Sequence, residues 1–118
     1  MHALSLNATR AFLGQWSRRK ALALRAERRL ALLACATLQS HLAEVRALLR
    51  SGGSLALSDE LRGYASRFEA KASSLLREVP GRHDGDLASW QTLRLLAQRF
   101  NRDYDDARAE LVGEPPDA

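Results

Sequence analysis

Residues 30–49 read LALLACATLQSHLAEVRALL, and the spacing of their apolar side chains decides the fold. Ala31, Cys35, Leu38, Leu42, Val45 and Leu49 recur at alternating four- and three-residue steps. That is one stripe of an α-helix packing at a shallow angle on a neighbour. Leu30, Leu33, Ala34 and Leu48 widen the stripe, so the stretch reads as a central helix, buried on most sides and touching more than one neighbour.

Upstream the helical pattern runs unbroken to about Leu4, with Gly14 as its sole glycine and no proline. Ser5 or Asn7 suits an N-cap. Downstream, Ser51-Gly52-Gly53-Ser54 ends the helix, with Arg50 in its last turn and Gly52 suited to the left-handed C′ position. A second helix opens at Ser58, with Asp59 and Glu60 in its first turn, and stops at Val79 before Pro80-Gly81. Its stripe is Leu61, Ala65, Phe68, Ala72, Leu75 and Val79. A third, capped by Asp86, runs to about Val112 and carries Trp90, Leu93, Ala97, Phe100, Tyr104, Ala107 and Leu111. The fold class is therefore all-α: a three- or four-helix bundle with heptad-like, coiled-coil-type antiparallel packing. Residues 1–112 form a single helical domain, and 113–118 a disordered tail.

The long first segment poses a geometric problem. A straight helix from Leu4 to Arg50 spans roughly 70 Å, and the later helices are about half as long. Either the helix breaks near residues 14–20, at Gly14 or within Ser17–Lys20, and folds back as a fourth helix, or it continues and leaves Phe12, Leu13 and Trp16 exposed for a partner.

Charge sharpens the second arrangement. The 118 residues carry a formal net charge of +4. Residues 1–50 hold nine Lys/Arg against Glu27 and Glu44, while residues 51–118 hold nine against twelve acids. The halves can attract each other within a chain or between copies. Arg10, Arg18, Arg19, Lys20, Arg25, Arg28 and Arg29 concentrate the positive charge, and Arg18, Arg25 and Arg29 share one helical face. Such a stripe can pair with acids of its own chain, meet an acidic protein partner, or track a phosphate backbone with Trp16 stacking near its end. Zinc-finger spacing, an RNP-like run and a short helix-turn-helix connection are all missing.

Other candidates for chemistry read as structural. Asp103, Asp106 and Glu110 share a face at metal-binding spacing, but no second acidic helix is evident and Arg99, Arg102 and Arg108 stand among them. His41 reads as a buried neutral imidazole with one hydrogen bond, and Cys35 as a small core residue. One cysteine permits no intrachain disulfide. Arg46, Arg62, Arg67 and Arg94 are interior-edge positions of the kind that could hold an anionic substrate, without a recognisable pattern. The expectation is a non-enzyme with no metal, cofactor or small-molecule substrate. No apolar run reaches the roughly 20 residues of a transmembrane helix, and no signal peptide opens the chain, so a cytoplasmic location is expected.

The functional expectation is a helical protein–protein interaction module, an adaptor, chaperone-like or regulatory. It would bind an acidic partner, or itself as a homodimer, through Phe12, Leu13, Trp16 and the adjacent cations. The alternative is nucleic-acid binding by the basic stripe of residues 10–29.

Overall fold

A computed structural model describes the backbone of residues 2–50, 58–82 and 85–112, and side chains from Thr9 to Leu111 within those ranges. The described residues form three helices: α1, His2–Arg50; α2, Asp59–Arg77; and α3, Leu87–Val112, with a 3₁₀ turn at Val79–Arg82 between the last two. The expected Ser51–Ser54 terminator and the 113–118 tail lie outside the described residues.

The helix boundaries follow local chemistry. The Ser58 side chain accepts a hydrogen bond from the Leu61 N–H at 3.2 Å, and the Asp86 carboxylate accepts one from the Ser89 N–H at 2.8 Å. Each satisfies a donor that the first helical turn leaves without a carbonyl partner. α2 ends two residues before the expected Val79, and the chain tightens into the 3₁₀ turn that holds Pro80. Arg82 fixes this corner by donating to the Ser89 carbonyl and hydroxyl and to Glu78. A Cβ on Gly85 would stand 2.9 Å from the Arg82 carbonyl oxygen, so the corner accepts only glycine without shifting.

The three predicted stripes form one core. Leu38, Val45, Ala65, Phe68, Ala72, Leu93, Ala97 and Tyr104 are all buried within a single cluster. An aromatic group ties the helices together: Phe68 of α2 meets Phe100 edge-on and Tyr104 at a tilt, and Tyr104 stacks on His41 of α1. Such pairs add about 0.5–1.5 kcal/mol each beyond the area they bury.

Consecutive helices run antiparallel, as the short connections require. The first and third are therefore parallel, and theirs is the most extensive of the helix pairings. Arg94 bonds Glu27 and Asn101 bonds the Ala34 carbonyl, both across 67 residues, while Tyr104 bonds Glu44 across 60. A near-constant offset is the signature of a parallel pair in register.

That offset also shows where α3 begins relative to α1. Leu87 stands level with Lys20, so residues 2–19 of α1 project roughly 27 Å beyond the bundle. α1 is continuous. Neither Gly14 nor residues 17–20 interrupt it, and its backbone is already helical at His2, ahead of the expected Ser5 or Asn7 cap. Among the described residues there is no fourth helix. The molecule measures 80 × 32 × 17 Å with a radius of gyration of 21.4 Å, against roughly 13–14 Å for a globule of this length.

One expectation about the central helix needs correcting. Leu30 and Leu33 do not widen the core stripe: both are exposed, as is Leu32. Among the described residues, α2 and α3 are the helices that pack on α1, and its remaining side is exposed.

Candidate functional site

Of the residues proposed from sequence as contacts, Arg10, Phe12, Leu13, Trp16, Arg18 and Arg19 lie on the projecting residues of α1, whereas Lys20, Arg25, Arg28 and Arg29 lie on the stretch that runs beside the start of α3. Phe12, Leu13 and Trp16 are 65, 52 and 53% exposed. Arg10, Arg18, Arg19, Lys20, Arg25, Arg28 and Arg29 are exposed as well. They do not form one surface. At about 100° per residue, Leu13 and Trp16 lie within roughly 40° of Leu38, so they continue the core seam beyond the end of the bundle. Arg18, Arg25 and Arg29 point roughly 140–180° away, to the opposite side. Trp16 therefore cannot stack on a base whose backbone follows that stripe, contrary to the expectation from sequence. Arg10 and Arg28 share a third direction, and Arg19 lies near Phe12. Positive charge surrounds the arm rather than lining one edge of it.

The electrostatics of this arm are unusual in being uncompensated. No carboxylate lies within ion-pair distance of these seven cations among the described residues, although five ion pairs stand elsewhere, at His41, Arg46, Arg82, Arg94 and Arg108. Two of the seven lean on aromatic rings instead: the Lys20 ammonium lies 5.1 Å from the Trp16 ring centre, and the Arg28 guanidinium 5.8 Å from that of Trp90. Glu27, the lone acid of the segment, is committed to Arg94 at 2.6 and 3.2 Å. The acids of α3, Asp103, Asp105, Asp106 and Glu110, stand level with the far half of α1, roughly 30 Å from the centre of the basic segment. That is several Debye lengths at physiological salt. Among the described residues, no acid of the chain pairs with a cation of the arm.

The candidates for chemistry are occupied structurally. His41 Nδ1 lies 3.2 Å from Asn101 Oδ1, while the Asn101 amide donates to the Ala34 carbonyl. That leaves the Asn101 oxygen to accept, which places the imidazole proton on Nδ1. Cys35 is buried, and burial pushes its thiol above the ordinary range. The Tyr104 hydroxyl donates to Glu44 at 2.5 Å, and burial followed by this acceptor raises its pKa above that of a free phenol. Asp103, Asp106 and Glu110 join no group of three potential metal ligands among the described residues. A groove of about 590 Å³ opens between α1 and α2, but its Arg46 already bonds Glu69 and Ser73. Arg94 is likewise held by Glu27 and Gln98.

Sequence reasoning missed a second apolar surface. Leu22, Leu30 and Leu33 of α1 and Leu95 of α3 are exposed. The signal was present in the helix count, since two neighbours cannot cover both Leu38 and the leucines 80–160° round from it, by roughly 100° per residue. Among the described residues no helix is long and apolar enough to cross a membrane. No family model, no curated protein and no solved structure matches this chain.

Proposed function

We propose that this protein is a non-catalytic interaction module that works by protein–protein contact through the projecting N-terminal part of α1 and the cations next to it. The observation that carries the reading is the uncovered continuation of the core seam at Leu13 and Trp16. Burying a side chain of this size contributes about 1.5–3 kcal/mol, so the arm gains stability from any helix that completes the seam. Aromatic anchors next to arginines are the usual composition of the few residues that dominate an interface. The unpaired cations select a partner with negative charge and speed its approach more than they tighten the final complex. An adaptor, chaperone-like or regulatory role is the class of activity such a surface serves.

The unpaired cations also support a second reading, nucleic-acid binding, in which phosphates neutralise the arm. It predicts an affinity that falls steeply with salt and is weakened by charge reversal at Arg18, Arg25 and Arg29.

Light scattering coupled to size exclusion separates the two, run at low and high salt, alone, with poly-glutamate as an acidic polypeptide, and with a mixed-length nucleic-acid pool. The protein-contact reading expects self-association or a poly-glutamate complex that Trp16→Ala abolishes with helicity unchanged. A complex formed with nucleic acid alone, insensitive to Trp16→Ala, overturns it in favour of the second reading.

A further inference from the structure

The bundle ends in a step. α3 lies along the seam of α1 only from Lys20 onward, so residues 2–19 leave a shelf roughly 27 Å long and about 10 Å below the outer side of α3. Leu13 and Trp16 are its floor. Lys20 closes it beside the start of α3, with its ammonium over the Trp16 ring. Phe12 lies roughly 70° from the middle of the floor and widens it. The shelf is as deep as one helix and as long as a helix of about 18 residues. Along the rest of the same seam, at Ala31, Leu38 and Val45, α1 is covered by helices.

Charge states what the covering helix must carry. Residues 9–23 hold Arg10, Arg18, Arg19 and Lys20 and no acid. Asp86, at the start of α3, is taken up in capping that helix. Arg10 and Arg19 stand roughly 90° to either side of the line through Leu13 and Trp16. Those are the positions that flank the apolar seam of a two-helix contact, where charges on the facing helix set partner choice. A helix laid on the shelf therefore meets a cation on each edge. An apolar stripe bordered by carboxylates on both sides satisfies all of these groups at once.

No described helix of this chain has that composition. α1 is strongly basic, α2 holds four cations against three acids, and α3 four of each. A second copy brings no net negative charge to the shelf. A nucleic acid that follows Arg18, Arg25 and Arg29 leaves Leu13 and Trp16 bare on the opposite side of the helix. A flat anionic surface such as a membrane meets α3 before it meets the floor of the step. We infer that the shelf at Leu13 and Trp16 seats an acidic amphipathic helix of a different protein, lying in line with α3 and extending its layer of the bundle along the arm. This rests on the protein-contact reading above and names the chemistry of the partner.

Calorimetric titration of the full chain with a synthetic helical peptide of about 18 residues tests it. The peptide carries leucine at the two seam positions of each heptad, glutamate at the flanking positions, and alanine or glutamine elsewhere. Its controls are the same composition in scrambled order and a form with lysine for every glutamate. A one-to-one complex is expected with the acidic seam peptide and with neither control. Leu13→Asp and Trp16→Ala should each weaken it by about tenfold or more. Arg10→Glu combined with Arg19→Glu should lose the glutamate peptide and gain the lysine one. All four positions are exposed, so the variants keep the fold, and circular dichroism verifies that. A seam peptide that fails to bind, binds no better than its scrambled form, or ignores Leu13→Asp overturns the inference. So does a wild-type dimer, or binding to phosphatidylserine vesicles, that Leu13→Asp abolishes. The broader reading survives a failed seam peptide if Trp16→Ala still abolishes self-association or a poly-glutamate complex, so the two failures are distinct.

Discussion

Residues 31–49 and residues 9–23 belong to one helix and carry one seam, yet only the first set is covered. Ala31, Leu38, Leu42 and Val45 are buried against α2 and α3, while Leu13 and Trp16, in the same line, are half exposed. The difference lies in what stands beside the helix. α3 begins level with Lys20, and no described element lies beyond it. An apolar stripe records what a helix is made to touch. It does not record whether the neighbour comes from the same chain.

The largest effects expected from this comparison concern the covered half. Leu38→Ala should cost about 2–5 kcal/mol in urea unfolding, because a fully buried leucine leaves a cavity. Leu13→Ala, at a matching place on the uncovered seam, should cost under about 0.5 kcal/mol when the protein is dilute enough to be monomeric. Similar losses at both sites would mean that the arm folds onto its own bundle.

The Glu27–Arg94 pair marks the boundary between the two regimes. Both partners are about four-fifths buried, and Glu27→Gln leaves the guanidinium short of a counter-charge. A loss of about 1–3 kcal/mol is expected, read by the same unfolding experiment. No loss would place this end of the bundle in water.

The boundary was partly legible in the sequence. The stripes of all three helices and the Ser58 and Asp86 caps could be read because heptad spacing and cap chemistry are local. Leu30 and Leu33 could not be placed: a leucine beside the core stripe and one that widens it look alike until the number of neighbours is known. The split of the basic segment into opposite faces was available from helical geometry, since Arg18 and Trp16 lie roughly 160° apart by 100° per residue. The absence of ion pairs on the arm among the described residues was not available. It depends on α3 placing its acids roughly 30 Å away, a consequence of the α1–α3 register.

A smaller effect separates the halves by pH. Cys35, Tyr64 and Tyr104 all belong to the covered half, and each is pushed above its ordinary pKa chiefly by burial. The folded state therefore holds protons that the unfolded chain releases. Stability is full below about pH 9 and falls as pH rises past the free thiol and phenol values, by at most about 1.4 kcal/mol per pH unit per group. Tyr104→Phe should make the alkaline limb of a thermal-melt series shallower. An unchanged limb would mean that Tyr104 ionises as freely folded as unfolded. The smallest expected effect lies in the arm: nothing surrounds Gly14, so Gly14→Ala should raise helicity and leave the unfolding midpoint of the bundle nearly unchanged.

The measurement that tests the central claim most directly is amide hydrogen exchange, resolved along α1 and compared without and with the acidic seam peptide. Exchange reports local opening, so it distinguishes a helix held by its own bundle from one held by another molecule. Residues 31–49 should be protected in both samples, whereas residues 9–23 should exchange fast in the protein alone and gain protection with the peptide. Protection of residues 9–23 equal to that of residues 31–49 in a dilute sample of the protein alone would contradict the account, because the arm would then be part of its own chain's core.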